Sequence, residues 1–79
     1  MSRSTTAHPG AVIRSDIMEA EGYTLDELCD ALACSEGYLG RVLDGRSAIG
    51  EQLARALEAN GYATASYWLK MQSKWDRGL

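Results

Sequence analysis

Apolar residues recur along this chain every three to four positions, the spacing of helices that bury one face. Val12, Ile13, Ile17 and Met18 form a first stripe, which predicts a helix over about Ala11 to Ala20 that Glu21-Gly22 ends. Leu28 and Leu32 lie one turn apart and predict a second helix over Leu25 to Ala33. Ser35 is a good N-cap for a third, with Leu39 and Val42 facing inward and Asp44-Gly45 as its stop. Arg46 to Ile49 reads as a loop. A fourth helix follows from about Gly50 to Ala59, burying Leu53, Ala54 and Leu57, and Asn60-Gly61 closes it. Thr64 suits the N-cap of a last helix over Ala65 to about Asp76. The expected fold is all-α: five short, closely connected helices with Leu28, Leu32, Leu39, Val42, Leu53 and Leu57 in one core. Met1 to Ala7 is polar and rich in Ser and Thr, so it reads as a flexible arm ahead of a domain spanning residues 8–79.

The second and third helices are too short to be stable alone and must pack against each other. The break between them is tighter than an ordinary loop. That arrangement is the spacing of a helix-turn-helix, whose second helix can enter a DNA major groove. On that geometry Ser35, Glu36, Gly37, Tyr38 and Arg41 face base edges. Arg41 has the fork for a bidentate guanine contact, Glu36 can accept from a cytosine amino group, and Tyr38 can touch a thymine methyl or donate to a phosphate. Arg46 and Ser47, in the loop that follows, suit backbone contacts that fix register rather than read sequence. Arg3 in the arm is a candidate for the minor groove.

The last helix carries more apolar surface than so small a core needs. Trp68, Met71 and Trp75 recur at i, i+3 and i+7, with Tyr67 and Leu69 beside them. Part of this surface must close the domain's own core. The remainder suits an interface, where Trp and Tyr are favoured anchors.

Composition narrows the function. At 79 residues and 46% hydrophobic the chain makes one domain on a single core. No apolar run approaches the roughly 18 residues of a membrane span, and no signal-peptide core is present. Net charge is −3 with a pI near 4.9, the wrong sign for a simple nucleic-acid footprint, so the distribution matters. Between Ser15 and Gly40 there is no Lys or Arg, while Asp16, Glu19, Glu21, Asp26, Glu27, Asp30 and Glu36 all occur. Basic residues lie elsewhere, at Arg3 and Arg14 early, at Arg41 and Arg46, and again at Lys70, Lys74 and Arg77. The acidic stretch is either a solvated face or a docking surface for a basic partner. Cys29 and Cys34 read as free, partly buried thiols suited to a reducing cytoplasm. The sole histidine, His8, is remote from them, which argues against a metal site, and no catalytic constellation or cofactor motif stands out. The chain does not read as an enzyme.

The motif as a whole resembles the lambda-repressor-like (XRE) helix-turn-helix family, and within it the HigA-type antitoxins. The resemblance runs from His8 to about Gln72 without a gap. Its distinctive parts are His8-Pro9-Gly10, the segment from Thr24 to Gly45, Asp44-Gly45-Arg46 with Ile49, and Tyr67-Trp68-Leu69. It implies a compact lambda-repressor-like domain, a double-stranded inverted-repeat operator, repression of its own operon and neutralisation of a HigB-like toxin. It also implies a homodimer through the last helix, for which Tyr67, Trp68, Met71 and Trp75 are the candidates. The chain departs from the family pattern where Leu25 replaces a phosphate-clamping Gln, where Ala33 holds the turn position of a Gly, and where Gly37 and Gly40 replace base-reaching side chains. Gly50 also stands where a Ser or Thr cap is usual. Two other readings remain: a phage or mobile-element repressor without a toxin, and an interaction module of helix-turn-helix shape that no longer binds DNA.

Overall fold

A computed structural model describes residues 8–78. The segment read as a flexible arm, Arg3 included, lies outside them. His8 opens the first helix, which begins two residues before the expected start at Ala11. The His8 backbone is extended and its Nδ1 accepts the Gly10 N–H at 2.9 Å, while Pro9 fills the first helical position, where its missing donor costs nothing. This helix, α1, spans Pro9–Val12 and continues as a π-helical stretch, Ile13–Glu19. Ile13 and Ile17 still share one buried face across the widened turn. Nothing in the residue pattern announces that widening.

Three short helices come next. In α2 (Leu25–Leu32) the Thr24 hydroxyl accepts the Glu27 N–H at 3.2 Å and the Glu27 carboxylate accepts the Thr24 N–H at 2.8 Å, a reciprocal cap that satisfies two orphan donors. The helix ends at Leu32 because Ala33 turns left-handed, φ 55° and ψ 46°. The Cys34 N–H then returns to the Cys29 carbonyl at 3.1 Å, closing the Schellman pattern. One residue later Ser35 caps α3 (Glu36–Leu43), its hydroxyl accepting the Tyr38 N–H at 3.2 Å. Helix α4 (Glu51–Ala59) starts without a side-chain cap at Gly50. Its end is tied to α2 by Asn60, whose amide donates to the carbonyls of Ala31 and Ala56 at 3.2 and 2.8 Å.

Helix α5 (Ala65–Asp76), capped by the Thr64 hydroxyl, packs along α4 and touches α1. Among the described residues there are five helices and no strand, as the sequence pattern predicts. All six core residues named from that pattern are buried, and Ile13, Ile17, Leu43, Ile49 and Trp68 join them. Trp68 is therefore a correction. Expected as an interface anchor, it is 3% exposed in the protein's own core, and its indole N–H donates to the Tyr62 carbonyl. Burying side chains of this size stabilises the fold by about 1.5–3 kcal/mol each.

One close approach fixes the position of α3. Gly10 lies against the backbone of its C-terminal turn, and a Cβ there would stand 1.8 Å from the Val42 carbonyl oxygen. Only glycine lets α1 and α3 meet this closely. None of the helices is long and apolar enough to cross a membrane, among the described residues.

Candidate nucleic-acid interface

The outer face of α3 is low and open. Gly37 is exposed and Gly40 half-exposed, and a Cβ at Gly40 would meet nothing within 4 Å. Arg41, one turn beyond Gly37, folds back beside it: a Cβ at Gly37 would lie 3.7 Å from an Arg41 terminal nitrogen. The Arg41 Nε donates to the Ser47 hydroxyl at 3.2 Å, which fixes the plane of the guanidinium and leaves the two terminal nitrogens for a partner. The Arg41 carbonyl accepts the N–H groups of Arg46 and Ser47, at 2.8 and 3.3 Å. Arg41, Arg46 and Ser47 are thus brought together at one end of α3.

Two other candidates are placed differently from the sequence expectation. The Tyr38 hydroxyl, expected to meet DNA, is used internally: it donates to the Ala48 carbonyl at 2.9 Å and accepts the Gly50 N–H at 3.0 Å. Tyr38 braces the loop instead, with its ring packed against the core. Glu36 is exposed but held in an acidic group, hydrogen-bonded to the Asp26 carboxyl with Asp30 nearby. Those like charges raise its pKa above the ordinary carboxylate value, the Asp26 contact first. Carboxylates gathered at the start of α3 repel a phosphate backbone, which opposes acceptance by Glu36 from a cytosine amino group. Ser35 is exposed, its hydroxyl committed to the cap.

The loop after α3 is held from the opposite side by residues to which the sequence reading gave no role at this site. Gln72 of α5 is 6% exposed, and its Oε1 accepts the Ile49 N–H at 2.9 Å. Its amide donates to the Asp76 carboxylate one turn on, also at 2.9 Å. His8 is equally buried, and its ring meets the Trp75 ring edge-on with centroids 5.3 Å apart. Burial lowers the His8 pKa, partly offset by a hydrogen bond with the Ser47 backbone and by the Asp76 charge. A lone histidine after a polar segment gives no sign of this. Its position before Pro-Gly, where a side-chain acceptor caps the helix, is the signal that could have found it.

Of the residues expected at a dimer interface, Tyr67 is 50% exposed and Trp75 44%, while Met71 is half-buried. The Tyr67 ring stands edge-on to Trp68 at 5.5 Å. The thiols are unreactive in character: Cys29 is buried, its pKa pushed up to about 11 by burial and then by Cys34, and burial raises Cys34 as well. Among the described residues no group of three His, Cys, Asp or Glu could hold a metal ion.

No family model matches the chain, and no curated protein matches it in sequence. Solved structures do match in fold. The antitoxin GraA superposes with a TM-score of 0.85 at 23% identity, over 94% of this chain and 80% of that one. A HigA-family addiction module antidote protein from Coxiella burnetii gives 0.83 at 22%, over 92% and 79%. A hypothetical protein from E. coli gives 0.84 at 18%, over 91% and 74%. The fold is that of these proteins, two of which carry antitoxin or antidote names.

Proposed function

We propose that this protein is a sequence-specific DNA-binding repressor of the HigA type, acting as the antitoxin of a toxin–antitoxin pair. It would bind an inverted repeat in its own promoter as a homodimer built on α5, through Tyr67, Met71 and Trp75, and neutralise a HigB-like toxin. The observation that carries the DNA reading is the grouping of Arg41, Arg46 and Ser47 beside the open, glycine-lined face of α3. The fold shared with two proteins of antitoxin type supports the regulatory reading.

A second reading has its own observations. The Asp26–Glu36 contact with Asp30 puts negative charge at the start of α3, and the Tyr38 hydroxyl is engaged within the protein. Both favour an interaction module without DNA binding. Anisotropy titration with the gene's own upstream DNA across a range of salt separates the two. The repressor should bind with half-site centres about one helical turn apart, and with a shallow salt slope because it has few basic residues. Arg41→Ala should cost about 1–3 kcal/mol and relax preference at one base pair, whereas Arg46→Ala should weaken all sequences alike. Equal binding by both variants and the wild type would transfer the argument to the interaction module.

A further inference from the structure

We infer that Gln72, on the helix farthest in sequence from the recognition helix, is a positioning residue for DNA binding; this rests on the repressor reading above. A buried glutamine in a small apolar core calls for a reason, since an apolar side chain of the same length would fill the space without polar ends to satisfy. Here both ends are used. The carbonyl takes the N–H of Ile49, a residue whose own side chain is sunk in the core, and the amide is steadied by Asp76. Without Gln72 that N–H would lose its hydrogen-bond partner, because the loop from 46 to 50 has no sheet or helix ladder to supply one.

The neighbouring backbone groups are held in the same manner. Ala48 and Gly50 are pinned by the Tyr38 hydroxyl, and the N–H groups of Arg46 and Ser47 by the Arg41 carbonyl. Every residue from 46 to 50 therefore has a backbone group held by α3 or α5. Gln72 supplies the brace from α5. By holding Ile49 it fixes the far end of the loop whose near end Arg41 holds, and so steadies the register of the phosphate contacts against the base contact. Gln72 does not touch DNA in this scheme; it acts through the loop.

The test uses the whole chain and its own upstream DNA. Gln72→Met keeps the length and apolar stem but removes both polar ends. Gln72→Glu combined with Asp76→Asn reverses the polarity of the pair, with the carboxylate still accepting from Ile49 and the new amide donating to it. Gln72→Met should lower DNA affinity about tenfold and reduce the salt slope by about 1, as for a lost phosphate contact. Amide exchange at Ile49 should accelerate about tenfold or more while core amides of α4 keep their protection. The paired variant should restore both. A merely structural role would lower the folded fraction without changing the slope, and would show in the α4 amides. Wild-type affinity and slope in a folded Gln72→Met protein would overturn the inference, as would failure of the paired variant to recover when its Ile49 amide is protected. Absence of DNA binding by the wild type would instead overturn the repressor reading, with the bracing of Ile49 still judged by exchange.

Discussion

Ala33 is a residue at which one methyl group carries a measurable cost. It occupies the left-handed region, φ 55° and ψ 46°, at the turn between α2 and α3. For an L-residue that conformation costs roughly 1–2 kcal/mol, because the Cβ crowds the following carbonyl. The Ala33 side chain is exposed, so removing the methyl group forfeits little packing. Against the relief stands the extra freedom that glycine has in the unfolded chain, about 0.4–1 kcal/mol. Ala33→Gly should therefore stabilise the protein by a net of about 0.5–1 kcal/mol. In urea the midpoint should rise by about 0.3–1 M with m unchanged. The melting temperature should rise by roughly 2–8 °C, as expected for a domain of this size. Ala33→Val, whose branched Cβ fits this region worse, should move both quantities the other way. A glycine variant that melts at or below the wild-type temperature would refute the reasoning, and the left-handed turn would have to be relieved elsewhere.

Three further outcomes follow from the packing. Gly10→Ala forces a Cβ onto the Val42 carbonyl and should destabilise by about 3 kcal/mol or more, read as loss of a cooperative melt; a folded variant would mean that α1 and α3 can separate cheaply. His8 has its pKa lowered from 6.5 in the folded state, so the unfolded chain takes up a proton first. Its stabilisation is complete above that value and is lost as pH falls through the lower folded pKa. The melting temperature should accordingly drop between pH 7.5 and 5, and His8→Asn, which retains a capping oxygen, should flatten that dependence. Trp75→Ala removes the largest exposed apolar side chain of α5, and if that helix forms the dimer it should weaken association by about 2 kcal/mol; sedimentation of the wild type as a monomer at tens of micromolar would count against an α5 dimer.

The helices were legible because their signals are local. The Leu28–Leu32 and Leu39–Val42 spacings, the caps Ser35 and Thr64, and the Asn60-Gly61 stop each act within one or two turns. The errors of boundary have local causes too. Ala33 has a good helix former's side chain, but the chain had to turn there so that Cys34 could reach back to Cys29. The early start of α1 depended on His8 acting as a cap, a role its residue type does not advertise. Trp68 shows the limit of a stripe read on one helix. Trp68, Met71 and Trp75 recur at helical spacing, yet the stripe crosses the boundary between core and surface, with Trp68 buried and Trp75 open. Which end of an apolar stripe is covered depends on where α4 and α1 lie, and no single helix contains that information.

The site divides along the same line. Arg41, Arg46 and Ser47 are close in sequence, and their proximity follows from one turn of helix and the loop after it. Tyr38 is as close, but its hydroxyl lies at the end of a long side chain whose destination is set by where the loop returns. Residue 38 was a good candidate for an outer face by helical position alone; the carbonyl of Ala48 and the N–H of Gly50 decide otherwise. Gln72 and His8 are farther still, reaching the loop from α5 and from the start of α1. Their importance comes from unmet demand. A loop that sinks Ile49 into the core must have the backbone polar groups there answered, and side chains with both reach and burial are recruited to do so. The side chains proposed to meet DNA are near one another in sequence, while Gln72 and His8 are buried and distant, and only the first kind can be read from a motif.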